Sequence, residues 1–125
     1  MLYLYVAIGG AFGALCRYGM VNGIHSLLGR GSFPIATLSV NILGSLLMGL
    51  AIGLVVSMMP RGKELHALVI IGALGGFTTF SAFSYETYIL VERGAWLEAG
   101  IYILGSVILG VLAFFTGMWL FKVVA

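Results

Sequence analysis

Charged side chains are scarce in this chain of 125 residues, where lysine, arginine, aspartate and glutamate together make up only 8%. A water-soluble domain has roughly a quarter of its residues charged. Because 62% of the residues are also hydrophobic, the chain cannot cover a folded surface with groups that water solvates. The composition therefore predicts an integral membrane protein, and the length suits one compact bundle.

Residues for several kinds of chemistry are also missing. Cys16 is the only cysteine, which excludes a disulfide within the chain. The sequence contains no cluster of cysteines and histidines, no HExxH and no GxSxG, and its glycine-rich stretch lacks the Lys-Ser/Thr of a phosphate-binding loop. The formal charge of +2 is too small to favour nucleic acid as a partner. We therefore expect neither an enzyme nor a nucleic-acid-binding protein.

Four apolar segments account for nearly the whole chain, at about residues 2–28, 35–59, 65–91 and 96–124. Each is longer than the roughly 20 residues that a helix needs to cross the hydrocarbon of a bilayer. Gly9 and Gly13 lie on one helix face, and so do Gly49 and Gly53, and such small faces let helices pack closely in lipid. The pattern predicts an all-α fold of four transmembrane helices, forming a single domain over residues 1–125.

The third segment departs from a plain membrane helix between residues 72 and 87. Three glycines fall within five residues, threonines and serines follow with phenylalanines between them, and Glu86 lies near the end of the run. Non-helical backbone at membrane depth is tolerated only where protein buries it or where it lines a cavity. Broken helices of this kind mark ion or substrate sites in transporters. We therefore predict that the third helix is broken and that the functional site lies at the break.

The basic residues are almost evenly divided between the two faces of the membrane. Four spans place Arg61, Lys63 and Lys122 on one side, and Arg30, Arg93 and, if its side chain extends outward, Arg17 on the other. A Lys/Arg excess normally fixes the orientation of a membrane protein. Its near absence leaves two interpretations: one or two charges set a unique orientation, or the chain inserts both ways. Two oppositely inserted copies would form an antiparallel, dual-topology homodimer.

Two side chains within the spans are candidates for binding an anion, and each has a plainer interpretation. Asn41 either donates its amide to a dehydrated anion or joins two helices by a hydrogen bond. Arg17 either lines an anion vestibule or extends to water. Glu86 is the only acidic residue well within a span, and its role is open: it pairs with a basic residue, carries a proton or lies at a water-filled mouth.

Two further pairs share a helix face. Phe80 and Phe83 are three residues apart and either pack together or direct their positive ring edges at an anion. Tyr102 and Ser106 are four residues apart, so their hydroxyl groups either bond to the preceding turn or line a polar path.

Three stretches of the chain, taken together, resemble a known family. They read GGAFGALCRY at residues 9–18, TLSVNILG at residues 37–44 and GGFTTFSAF at residues 75–83. In this order they resemble the motifs of the small bacterial fluoride channels, the Fluc (CrcB) family, over essentially the whole chain. The resemblance implies an antiparallel dual-topology homodimer in the bacterial plasma (inner) membrane. Such a dimer exports fluoride passively, which relieves fluoride toxicity, and it rejects chloride.

The resemblance also implies roles for particular residues. It makes Asn41 the pore asparagine, Phe80 and Phe83 the ring-edge ligands of the fluoride pathway, Tyr102 and Ser106 the polar track, and Arg17 the vestibule arginine. It further implies a structural sodium ion on the dimer axis, held by main-chain carbonyl groups of Gly75 and Thr78 from each subunit. A broken helix frees carbonyl oxygens that need a partner.

Two other functions share parts of this pattern. A small drug/proton exchanger also has four spans and dual topology, but it needs a carboxylate near the middle of its first span, and residues 2–28 contain neither aspartate nor glutamate. In a structural membrane subunit, Asn41 and the phenylalanines would serve only in packing. The fluoride channel is the function that we expect.

Overall fold

The computed structural model describes residues 1–58 and 62–125, and every regular element in those ranges is helical. In chain order the elements are α1 (Leu2–Leu28), α2 (Ile35–Ser57), α3 (Lys63–Leu65), a π-helix (His66–Leu74), α4 (Gly75–Phe77), α5 (Phe80–Glu92) and α6 (Trp96–Val124). Four helical stretches in the described ranges are long and apolar enough to cross a membrane, as the sequence predicted; the third is Lys63–Glu92. The expected end of the second span at residue 59, and Arg61 of the charge count, lie outside the described residues.

The first span crosses the third at glycine. A Cβ atom placed on Gly9 would lie 2.1 Å from the carbonyl oxygen of Leu68, and one on Gly13 would lie 2.0 Å from that of Ala73. Both distances are far shorter than a van der Waals contact, so these positions admit only glycine while the backbones stay in place. The spacing that predicted close packing thus brings α1 into backbone contact with the π-helix.

The second and fourth spans meet in the same way. A Cβ atom on Gly49 would lie 2.1 Å from the carbonyl oxygen of Phe114, and one on Gly117 would lie 2.2 Å from that of Leu46. The glycines therefore face each other's helix across one crossing. The bundle is built from two closely packed pairs, α1 with the third span and α2 with α6, and α2 also contacts the third span.

Two small apolar clusters lie between these pairs. One contains Val55, Ile70 and Leu74, where α2 meets the π-helix. The other contains Leu90, Ala99 and Tyr102, where α5 meets α6, and Tyr102 is fully buried. The second cluster fixes the position of the Tyr102 ring.

Much of the apolar surface remains exposed on the single chain. Phe80 is 78% exposed, and Phe12, Phe115 and Trp119 are each at least 60% exposed. Aqueous proteins rarely leave such large contiguous apolar surfaces uncovered. The exposure is consistent with helices that face lipid or another protein chain.

We expect Gly49→Ala to separate α2 from α6, because the added methyl group would collide with the backbone of Phe114. Overpacking of this kind typically costs about 1–3 kcal/mol. Thermal unfolding in detergent micelles, followed by circular dichroism, would measure the loss. Gly100→Ala is the control, because a Cβ atom there meets nothing within 4 Å; equal unfolding temperatures for the two variants would contradict the packing account.

Candidate functional site

Two consecutive threonines separate α4 from α5 in the middle of the third span. Thr78 has φ −78° and ψ 156°, and Thr79 has φ −148° and ψ 119°, so both residues are extended. The Thr78 hydroxyl donates to the carbonyl oxygen of Leu74 at 3.0 Å, which caps the end of α4. The Thr79 hydroxyl accepts the backbone N–H of Ala82 at 3.1 Å, which caps the start of α5. Threonine suits this second position because its side-chain oxygen can replace a missing helical acceptor.

The side chain of Asn41 on α2 holds the extended backbone of Thr79. Its Nδ2 donates to the Thr79 carbonyl oxygen at 3.0 Å, and its Oδ1 accepts the Thr79 N–H at 2.8 Å. The amide thus pairs with both backbone groups of one residue, as a neighbouring strand would. Asn41 makes the interhelical hydrogen bond that was one of its two interpretations, and this pairing uses one of its two Nδ2 protons.

These side-chain bonds divert two backbone donors from the helical pattern. In a continuous α-helix the N–H of Thr79 would bond to the carbonyl of Gly75, and the N–H of Ala82 to that of Thr78. Here the first bonds to Asn41 and the second to the Thr79 hydroxyl. The carbonyl groups of Gly75 and Thr78 are therefore left without their helical donors. They are hard oxygen ligands of the kind that a small cation prefers.

Side-chain metal ligands play no part in this arrangement. Within residues 1–58 and 62–125, no three histidine, cysteine, aspartate or glutamate side chains come close enough together to hold a metal ion.

Glu86 joins three helices about two turns beyond Thr79. Thr37 on α2 donates its hydroxyl to Oε1 at 2.7 Å, and Tyr102 on α6 donates its hydroxyl to Oε2 at 2.7 Å. Both donors are buried, with exposed fractions of 4% and 0%. The sequence left the role of Glu86 open, and the structure makes it the acceptor of two hydroxyl groups.

Aromatic rings connect this carboxylate to the interruption. The centroids of Phe83 and Tyr102 are 5.1 Å apart at 51°, and those of Phe80 and Phe83 are 5.4 Å apart at 46°. Phe33 packs edge-on against the other side of the tyrosine at 5.6 Å. The rings form a continuous row, in which Phe80 is largely exposed and Tyr102 is fully buried.

A groove of about 320 Å³ runs beside the interruption. It is lined by Asn41, Gly44, Ser45, Met48, Thr78, Thr79, Phe80, Phe83, Ser106, Val107 and Phe114. Its polar lining consists of amide and hydroxyl groups and carries no formal charge. The Ser106 hydroxyl is buried and has no hydrogen-bond partner in the described ranges, so it is free to bind a ligand or water.

The groove brings together four of the six residues expected in the fluoride pathway: Asn41, Phe80, Phe83 and Ser106. Tyr102 lies behind Phe83 and directs its hydroxyl to Glu86 instead of into the groove. Arg17 belongs to α1 and is not among the lining residues. The roles of all six residues remain predictions.

Sequence reasoning placed Thr79 in the stretch predicted to hold the site but gave it no role of its own. The sequence did carry a pattern that predicts an N-cap at Thr79. A threonine directly after a glycine-rich stretch, three residues before the backbone donor that it accepts, is typical of a helix N-cap. Thr37 and Tyr102 as joint partners of Glu86 could not be found in this way, because they are 49 and 16 residues from it along the chain.

Comparison with known proteins gives one consistent family. The model of the family described as "CrcB-like protein, Camphor Resistance (CrcB)" matches residues 4–118. A fluoride-specific ion channel FluC from Magnetococcus marinus is 47% identical over 118 residues, covering 94% of this chain and 95% of the relative. The protein of the same name from Sphingopyxis alaskensis is 46% identical over 117 residues, covering 94% and 92% of the two chains. The one from Ruegeria sp. is 49% identical over 116 residues, covering 92% and 90%.

We expect Asn41→Ala to release the Thr79 backbone and leave its N–H and C=O without their partners. Two buried hydrogen bonds of this type are together worth about 1–3 kcal/mol. Unfolding in detergent micelles would measure the loss of stability. Asn22→Ala is a matched control, because Asn22 lies exposed on α1; an equal effect of the two substitutions would contradict the pairing.

Proposed function

The chain belongs to the CrcB family, and on that premise we propose that it is a fluoride-selective channel through which fluoride leaves the bacterial cell passively. Four apolar helices and this family membership make it a multi-pass protein of the bacterial plasma membrane. Passive export of fluoride relieves fluoride toxicity and involves no catalysis.

The uncharged lining of the groove is the observation that carries the proposal. Fluoride is small and strongly hydrated, so a pathway must replace water with donors that approach closely. The second Nδ2 proton of Asn41, the Ser106 hydroxyl and the positive ring edges of Phe80 and Phe83 are such donors. Because all of them are neutral, each binds the anion weakly enough to release it, which conduction requires.

The interruption in the third span supports this role. We propose that Lys63–Glu92 acts as one broken membrane helix, with Thr78 and Thr79 at the break. The break turns Thr79 towards Asn41 and begins α5 at Phe80, so it sets where the pathway residues lie. An unbroken helix would use these backbone groups internally and would leave no polar surface at this depth.

We further propose that the working unit is an antiparallel homodimer of dual topology. Phe80 lines the groove and is 78% exposed on the single chain, so a second chain is needed to close the pathway over it. The near balance of basic residues allows the opposite insertion that such a dimer requires. In this arrangement each pathway is lined by both copies.

A structural sodium ion on the two-fold axis would complete the dimer. The carbonyl oxygens of Gly75 and Thr78 fit this ion, because side chains have taken their helical donors. Two copies would supply four such oxygens. When bound, the ion would neutralise the negative ends of these carbonyl dipoles in the middle of the membrane.

We expect liposomes that contain the purified protein to release fluoride and to retain chloride. Asn41→Asp should lower the fluoride efflux about 100-fold or more, since a carboxylate offers no donor and repels the anion, and 2.7 kcal/mol of lost stabilisation is about a factor of 100. A fluoride electrode measures the efflux directly. Ser57→Asp adds the same negative charge at the exposed last residue of α2, outside the groove, and should conduct normally. Normal efflux through Asn41→Asp would refute the assigned role of Asn41.

We expect replacement of sodium by N-methylglucamine to weaken the dimer, because four carbonyl oxygens would then face one another without a cation. Exchange of differently labelled subunits in detergent measures this effect, and we expect it to be faster without sodium. Equal exchange rates in the two cations would contradict the sodium site and leave the pathway untouched.

A further inference from the structure

A second cavity, of about 220 Å³, has Glu86 in its lining and shares no lining residue with the groove. It is lined by His25, Gly29, Arg30, Gly31, Ser32, Phe33, Pro34, Ile35, Glu86, Ile89, Leu90 and Arg93. These residues come from the end of α1, the connection to α2, the first residue of α2, the second half of α5 and the residue that follows α5. None of the residues to which the family resemblance gives a role lines this cavity.

The two cavities are neighbours along α5. Phe83 lines the groove and Glu86 lines the second cavity, and three residues of an α-helix advance by about 4.5 Å. Between them the Tyr102 ring packs on Phe83 while its hydroxyl binds Glu86. These three side chains link the lining of the groove to that of the second cavity, and we call them the partition.

The second cavity is positively charged. Arg30 and Arg93 carry permanently charged guanidinium groups, whereas Glu86 is the one acidic side chain of the lining. His25 is the remaining titratable group. Phe33, Ile89 and Leu90 form apolar walls, and a charged cleft with walls of low dielectric concentrates the field and the counter-ions within it.

We propose that this cavity is an anion-collecting mouth of the fluoride pathway, in which Arg30 and Arg93 raise the local concentration of fluoride next to the partition at Glu86. The inference rests on the proposed channel function. It assigns the two arginines a role in permeation in addition to their place in the charge balance. Both arginines are exposed, so water competes for them. They therefore attract the anion by their field and do not bind it tightly.

The test is the fluoride flux of Arg30→Gln/Arg93→Gln at two ionic strengths. Screening lengths are about 30 Å in 0.01 M salt and about 3 Å in 1 M salt, so only the first condition lets the arginines act across the cavity. With potassium gluconate as the added salt, we expect the double variant to conduct about tenfold less fluoride than the unmodified chain in 0.01 M salt, the lower end of the electrostatic enhancement of on-rates. In 1 M salt the two should agree within about twofold, because screening removes the field.

Two controls separate the field at the mouth from other effects. Lys63→Gln/Lys122→Gln removes the same total charge at exposed positions outside both cavities and should leave the flux unchanged. Arg30→Lys/Arg93→Lys keeps the charge and should restore the flux in 0.01 M salt. Two results would overturn the mouth alone. One is an equal flux of Arg30→Gln/Arg93→Gln and Lys63→Gln/Lys122→Gln in 0.01 M salt. The other is a deficit of Arg30→Gln/Arg93→Gln that persists in 1 M salt. Absence of fluoride flux in the unmodified chain would overturn the channel function and, with it, the mouth.

Discussion

The pairing of the Asn41 side chain with the backbone of Thr79 is the interaction on which the rest of the site depends. In the hydrocarbon of a bilayer no water is present to satisfy a backbone N–H or C=O group, and each unsatisfied group costs several kcal/mol. Two extended residues in mid-span are tolerable only if other groups replace the helical hydrogen bonds. Asn41 supplies a donor and an acceptor from one side chain, 38 residues away in the sequence, and satisfies both groups of Thr79.

Several consequences follow from this one pairing. It withdraws the Thr79 N–H from Gly75, whose carbonyl is then free for another partner. It leaves the Thr79 hydroxyl free to cap α5, so the second half of the span begins at a fixed position, with Phe80 and Phe83 beside the groove. A site that combines freed carbonyl oxygens, neutral donors and ring edges is thus produced by interrupting one helix, without any charged group at the centre of the groove.

The close packing of the bundle makes the interruption precise. Gly9 and Gly13 bring α1 against the backbone of the π-helix just before the break, and Gly49 and Gly117 bring α2 against α6. The first contact fixes the half of the third span that precedes Thr78. The second fixes α2, and therefore Asn41, relative to Ser106 on the other wall of the groove.

The number of spans was predictable, because hydrophobic length is a local property of the sequence, and so is the cluster of glycines and hydroxyl residues at 72–87 that marks the candidate site. Contacts between residues far apart in the sequence were not predictable. Asn41 was recognised as an unusual residue in an apolar span, but its partner depends on how α2 lies against the third span. Glu86 could not be assigned for the same reason, because Thr37 and Tyr102 reach it from two other helices. The sequence showed Arg30 and Arg93 only as positive charges on one side of the membrane, because the cavity that they share forms only when α1 and α5 pack together.

The most direct measurement of the central claim is the nuclear magnetic resonance signal of the asparagine side chains during a fluoride titration in lipid bilayers. The chain contains only Asn22 and Asn41 and no glutamine, so labelling asparagine with ¹⁵N gives two side-chain amide signals, of which Asn22 is the internal reference. If Asn41 holds Thr79 with one proton and presents the other to the anion, fluoride should shift the Asn41 signal and chloride at the same concentration should not. An Asn41 signal that fluoride leaves in place, or that both anions move equally, would contradict the account.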